Sequence, residues 1–148
     1  MNQEVNSEKK EILVVDDELL IRDLLYDFLT SHGYIVRLAE NGQKALEVID
    51  KHNIQTALVD LKMPKMDGLQ FTSILYEEKP HIPVIIMTAY PSMDSAIESI
   101  RKGVFDYIVK PFKMSNILDI LVKAVKESKF RMEAGNSRNK NLADKAVK

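Results

Sequence analysis

The chain of 148 residues contains no cysteine. A disulfide framework and thiolate metal sites are therefore excluded, and the absence fits a reducing compartment such as the cytoplasm. Long apolar runs are missing too. None approaches the roughly 20 residues that span a bilayer, so no membrane partner is expected. The opening MNQEVNSEKK is polar and charged, unlike a signal peptide. Charge of one sign is also scarce: the formal net charge is −1, which leaves no overall footprint for direct nucleic-acid binding. That near-balance hides an asymmetry. Residues 123 to 148 carry eight Lys or Arg against three acids, which leaves 13 basic and 19 acidic residues in the preceding segment. No internal repeat is visible. What is present is ordinary for a soluble globular protein, with 45% hydrophobic and 29% charged residues and a length of about one domain.

Five short apolar runs punctuate the chain: EILVV at 11 to 15, YIVRL at 34 to 38, TALV at 56 to 59, PVIIM at 83 to 87 and FDYIV at 105 to 109. Three are nearly unbroken Val, Ile, Leu or Met, the pattern of strands covered on both faces of a parallel sheet. Helical spacing fills the intervals. Leu20, Ile21, Leu24, Leu25 and Phe28 predict one stripe before a stop at Gly33. Ala45, Leu46, Val48 and Ile49 predict a second, and Leu69, Phe71, Ile74 and Leu75 a third before Pro80. Ser92, backed by Ser95, is placed as the N-cap of a fourth helix that aligns Met93, Ala96, Ile97 and Ile100 and ends at Gly103. A fifth is expected from about Ser115 to Phe130, with Ile117, Ile120, Leu121, Ala124 and Val125 facing the core. Residues 131 to 148 show little hydrophobic periodicity and read as a flexible basic tail or linker after a domain at 9 to 130. Strand and helix alternate five times, which calls for an α/β fold: a doubly wound, open parallel sheet with helices on both faces.

In such sheets ligands bind beyond the carboxyl ends of the strands. The first strand ends in Asp16, Asp17 and Glu18, the third in Asp60, the fourth in Thr88 and the fifth in Lys110 before Pro111. Each has a plainer reading alone: acids favour helix N-termini, an Asp can end a strand in a turn, Thr is β-branched, and a loop lysine is usually solvated. Their convergence on one edge outweighs those readings. Carboxylates this close repel one another unless a cation shares them. An all-oxygen set favours a hard ion, with Mg²⁺ the choice because it binds through a few carboxylates, waters and a phosphate. Asp60 then fits a nucleophile that takes a phosphoryl group as an aspartyl phosphate. Mg²⁺ held by Asp16, Asp17 and Asp60 would screen the incoming charge, Lys110 would neutralise one phosphoryl oxygen and the Thr88 hydroxyl would donate to another. Asp67, in the MDG at 66 to 68, is expected to cap the third helix.

The segments ILVVDDE, ALVDLKMPKMDGL, PVIIMTAY and FDYIVKPF, in that order over about residues 9 to 130, resemble the receiver domains of two-component response regulators. The resemblance implies a flavodoxin-like, five-stranded sheet in the order 2-1-3-4-5 with five helices. It implies Mg²⁺ on Asp16, Asp17, Asp60 and the backbone carbonyl of Lys62. Asp60 would accept phosphate from a sensor histidine kinase or a histidine phosphotransfer protein, Thr88 and Lys110 would sense it, and Tyr107 would report it by changing rotamer. The Lys110–Pro111 bond would be cis. Such a chain is a cytoplasmic signalling module that assists its own phosphorylation and dephosphorylation, not an enzyme acting on a separate substrate. Lys62 and Tyr90 occupy the variable positions two beyond the acceptor and two beyond the Thr, where they would crowd the hydrolytic water.

The output surface is expected on the fourth helix, fifth strand and fifth helix, serving a homodimer or another partner. Leu118 and Val122 form a second apolar stripe on the last helix, where a simple surface helix would be polar. Arg101, Lys102, Asp106 and Asp119 would add intersubunit ion pairs. No effector is recognised after residue 130, which leaves a stand-alone receiver or a fragment of a longer regulator. Two rival classes fit less well. A haloacid dehalogenase-type phosphatase places its nucleophile in an Asp-x-Asp on the first strand, whereas here adjacent aspartates precede Glu18. A flavodoxin-like carrier needs a phosphate-cradling loop there, and DDELL would repel phosphate.

Overall fold

The computed structural model describes residues 9–147; the polar opening through residue 8 and the final Lys148 lie outside the described residues. Five parallel strands, β1 (Glu11–Val15), β2 (Ile35–Ala39), β3 (Thr56–Asp60), β4 (Val84–Thr88) and β5 (Asp106–Val109), alternate with α1 (Leu19–Ser31), α2 (Gly42–Lys51), α3 (Gly68–Glu78), α4 (Met93–Arg101) and α5 (Met114–Val147). The sheet order is β2-β1-β3-β4-β5, as expected. No helix among the described residues is long and apolar enough to cross a membrane.

Alternation along the strands explains why they read as unbroken apolar runs. Leu13, Val15, Ala57, Val59 and Ile86 face a core closed by Ala45 and Ile49 of α2 and Phe71 and Leu75 of α3. Ile12, Val14, Leu58, Ile85 and Met87 face the opposite core, closed by Leu25 and Leu29 of α1 and by Ile117, Leu121 and Ala124 of α5. Each fully buried Val, Leu, Ile, Met or Phe side chain among them contributes about 1.5–3 kcal/mol. Local signals set the helix starts. Asp67 with Gln70 and Ser92 with Ser95 form reciprocal capping boxes. Gly33, at φ +91°, takes the left-handed conformation that ends α1.

Three helical expectations are corrected. On α1 the inward face is Ile21, Leu25, Phe28 and Leu29, while Leu20 (82% exposed) and Leu24 (50%) face solvent; the expected stripe was one residue too wide on its N-terminal side. On α4 the aligned Met93, Ile97 and Ile100 point outward, and Ser99 is the residue buried. The helix rests on its small side chain and displays its apolar ones. Finally, α5 does not end near Phe130: the segment expected to be a flexible tail from 131 is helical as far as Val147. Between Arg131 and Val147 there is no proline and a single glycine, Gly135; Ala, Lys, Arg, Leu, Met and Glu make up ten of the 17 residues, against three Asn, one Ser, one Asp and one Val. Propensity continues a helix that has lost its apolar stripe.

Candidate functional site

Strand register assembles the site. Val15 pairs with Val59, which sets the residues following β1 beside Asp60. Asp60 pairs with Met87, and Thr88 with Val109, which draws Thr88 and Lys110 to the same edge. Backbone bonds from the Leu61 N–H to the Met87 carbonyl (2.8 Å) and from the Lys110 N–H to the Thr88 carbonyl (2.7 Å) stitch the three strand ends together. The Lys110–Pro111 peptide is cis. Behind the site, a Cβ on Gly68 would lie 2.6 Å from the Asp60 carbonyl oxygen. Glycine at this position lets α3 begin hard against the end of β3.

Asp16, Asp17 and Asp60 each offer a carboxylate oxygen, and these lie within 4.8 Å of one another. Asp16 is fully buried and Asp60 nearly so, whereas Asp17 opens to solvent. Asp16 is held from three sides. Its Oδ1 accepts the Glu18 N–H at 2.9 Å, its Oδ2 accepts the Lys110 ammonium at 2.9 Å, and its carbonyl accepts the Arg22 guanidinium at 2.6 Å. Lys110 Nζ also stands 3.6 Å from Asp60 Oδ1 and 3.6 Å from Glu18 Oε1. One ammonium therefore serves several carboxylates, and negative charge is left over.

The electrostatics register that excess. Burial, then the Asp16 charge, push the Asp60 carboxyl from 3.8 up to about 7 against the pull of Lys110, with Asp17 adding to the rise. Burial alone would lower the Lys110 ammonium, but its hydrogen bond to Asp16 and the charges of Asp16, Asp60 and Glu18 prevail and raise it. Oxygen-only donors with surplus negative charge and one solvent-facing ligand suit a hard divalent cation such as Mg²⁺.

Thr88 is 1% exposed, and its Oγ1 accepts the Tyr90 N–H at 3.1 Å, which leaves its O–H to donate. Lys62 lies exposed in the loop after β3 with its ammonium 5.4 Å from the centre of the Tyr90 ring. The two variable positions named from sequence thus meet in a cation–π contact. Tyr107 is half-buried at the edge of the α2–α3 core. Its phenol oxygen is 2.8 Å from Ser95 Oγ in the first turn of α4.

Sequence reasoning placed Ser95 only as a capping partner. Its bond to Tyr107 depends on how α4 packs against β5 and has no local signal. The Arg22 contact with the Asp16 carbonyl was missed for the same reason. Also missed was a groove of about 480 Å³ between α1 and the β5–α5 connection, lined by Ile21, Leu24, Phe112 and Met114 with Lys110 at its inner end. On the expected output face, Arg101 pairs with Glu98 of its own helix at 3.8 Å. The stripe expected there from Leu118 and Val122 is not on this face: Leu118 packs against the core, and Val122, though exposed, lines the flank of α5 beside Tyr34 and Gln55.

Known proteins share this pattern. Residues 12–122 match the response regulator receiver domain family. The chain is 33% identical over 132 residues to the DNA-binding transcriptional regulator NtrC of Proteus hauseri, an alignment covering 89% of this chain and 28% of that protein. It is 36% identical over 126 residues to the transcriptional regulatory protein ZraR of Klebsiella oxytoca, covering 85% of this chain and 28% of that one. It thus spans less than a third of the length of these relatives. Among solved structures, a CheY-like response regulator receiver domain protein of Methanospirillum hungatei JF-1 superposes with a TM-score of 0.79 at 28% identity, over 84% of this chain and 99% of that one. The response regulator TrrA of Thermotoga maritima, solved in complex with Mg²⁺-BeF, gives a TM-score of 0.71 at 34% identity over 78% and 98%. Sheet order, strand-end residues and a family match over most of its length together establish that the chain belongs to the response regulator receiver domain family.

Proposed function

We propose that this chain is the phosphoacceptor receiver of a two-component system or phosphorelay, taking a phosphoryl group onto Asp60 from the phosphohistidine of a sensor histidine kinase or a histidine phosphotransfer protein. The observation that carries the reading is the meeting of Asp60 with Asp16, Asp17 and Lys110 at one sheet edge. Mg²⁺ on Asp16, Asp17, Asp60 and the Lys62 carbonyl would supply the charge neutralisation that lets two anions meet. The chain's own residues do the rest. An Asp60 carboxylate oxygen forms the new P–O bond as the donor's P–N bond breaks, and the leaving imidazole nitrogen keeps the electron pair and takes up a proton. Lys110 pairs with one phosphoryl oxygen, and the Thr88 O–H donates to another. Lys62 and Tyr90 narrow the approach of water to the acyl phosphate and prolong its life.

The switch runs from Thr88 to Tyr107. Drawing the Thr88 hydroxyl toward phosphate vacates space for Tyr107, which must leave Ser95 to turn inward, so that α4 repacks. The surface that changes is the face of α4, β5 and α5, where Ile97, Ile100 and Val109 are exposed; it serves a homodimer or an output partner. Exposed Leu20 and Leu24, beside the groove that leads to Lys110, support α1 as the docking face for the phosphohistidine donor. NtrC and ZraR are transcriptional regulators by name. We place this chain's output in an effector of that kind, in the cytoplasm, with no direct nucleic-acid contact by the described segment. Acetyl phosphate with Mg²⁺ should add one phosphoryl group in intact-mass measurements, and Asp60→Asn should abolish the addition. Equal uptake by the variant would refute the assignment.

A further inference from the structure

The sheet rim opposite Asp60 carries a second concavity. α5 runs past that rim, pinned where the Arg131 guanidinium donates to the Pro80 carbonyl at 3.2 Å and pairs with Glu127 at 2.7 Å. Its core-facing side chains shrink along the way, from Ile117 and Leu121 to Ala124 and Ser128, all of them buried. The small residues leave a groove of about 670 Å³ between the helix and Lys10, Tyr34 and Gln55, which immediately precede β1, β2 and β3. That volume falls within the roughly 300–1,000 Å³ of small-molecule pockets. A five-residue strand separates the groove from the acceptor edge, a distance of about 17 Å.

Two independent features point to an occupant. Ser128 is 1% exposed, it lines the groove, and its hydroxyl has no hydrogen-bond partner among the described residues. A helical hydroxyl ordinarily returns its proton to a carbonyl one turn back, as Thr30 and Thr72 do here at 2.7 Å. A buried hydroxyl left unpaired is costly. Charge is the second feature. Lys10, Lys126 and Lys129 line the groove against a single acid, Glu133, in a chain whose body is acidic overall. Val122, Val125 and Met132 supply an apolar wall.

We propose that the groove binds a small amphipathic anion, an aromatic or short aliphatic carboxylate or sulfonate. Its apolar body lies on Val122, Val125 and Met132, its charge sits among Lys10, Lys126 and Lys129, and the Ser128 hydroxyl donates to it. Binding braces α5 against the sheet rim, on the same helix that carries part of the output face. This site stands whether or not Asp60 accepts phosphate, since the two share no residue.

The probe is anilinonaphthalene sulfonate, followed by fluorescence and by the amide shifts of the isotope-labelled full chain. One saturable site is expected, with shifts gathered at Lys10, Tyr34, Gln55 and residues 122 to 133, and none at Asp60, Thr88 or Lys110. Ser128→Ala keeps a good helix former and should weaken binding about tenfold, the loss of one hydrogen bond to a charged group. Lys126→Gln combined with Lys129→Gln should weaken it further, and the uncharged parent hydrocarbon amine should bind worse than the sulfonate. Shifts scattered over the surface or confined to the apolar face of α4, or affinity unchanged in Ser128→Ala and in the lysine pair, would overturn the site. Displacement of the probe by an acidic peptide more tightly than by any small carboxylate would overturn the small-molecule occupant in favour of a protein partner.

Discussion

In metal-free protein, Asp60→Asn removes a carboxyl that burial and Asp16 hold near a pKa of about 7. Unfolded, the same group releases its proton near 3.8. Between those values the native state binds more protons than the unfolded chain, so parent stability falls as pH rises through the window and stays low above it. Asn has no proton to lose. The variant should therefore match the parent near about pH 4 and gain on it up to a plateau above about pH 7. The full interval corresponds to about 4 kcal/mol at about 1.36 kcal/mol per unit. Exposed Asp17 and Glu18 can swing away and admit water, so a measured gain of about 1–3 kcal/mol is expected. Urea unfolding in chelator, followed by far-ultraviolet circular dichroism at about pH 5 and about pH 8, reads it directly. Adding Mg²⁺ should then stabilise the parent and not the variant, closing the gap. Equal stabilities at the higher pH, or a gain independent of pH, would refute the claim that Asp60 carries uncompensated charge.

Three further outcomes follow from the same geometry. Lys62→Asn and Tyr90→Ala should each speed loss of the phosphoryl group by about two- to fivefold, the worth of one exposed cation–π contact; unchanged decay of labelled protein in both would end the shielding idea. Thr88→Ala should still accept phosphate while the amide shifts around Tyr107 and Ser95 no longer respond; shifts equal to the parent's would separate the switch from Thr88. A beryllium fluoride mimic should raise dimer content in analytical ultracentrifugation, with Ile97→Glu and Ile100→Glu each reducing it; Leu118 packs against the core and Val122 lines the groove beside Tyr34, and both are poorer probes. A protein that stays monomeric with and without the mimic would leave this face for another partner.

The strands were legible to within a residue because helices cover both faces of the sheet, so inward and outward positions are alike apolar. Their ends were legible for the same reason: Asp16, Asp60, Thr88 and Lys110 stand out as polar groups where an apolar run stops. Helix orientation was harder to read. Met93, Ile97 and Ile100 form a stripe that any periodicity rule turns inward, yet α4 rests on Ser99 and shows them to solvent. Leu20 and Leu24 mislead in the same way on α1. The Ser95–Tyr107 bond and the overhang of α5 arise from packing and from helix propensity without amphipathicity, and neither leaves a hydrophobic signature.

Acyl-phosphate formation on Asp60 is tested most directly by borohydride trapping. After transfer from acetyl phosphate or a phosphorylated histidine kinase, reduction cleaves the acyl phosphate and converts the modified aspartate to homoserine, which peptide mapping by tandem mass spectrometry locates. Conversion is predicted at Asp60, within the ALVDLK stretch, with Mg²⁺ present and not in chelator. Conversion at Asp16 or Asp17 instead, or no conversion in protein that has taken up phosphate, would contradict the role assigned to Asp60.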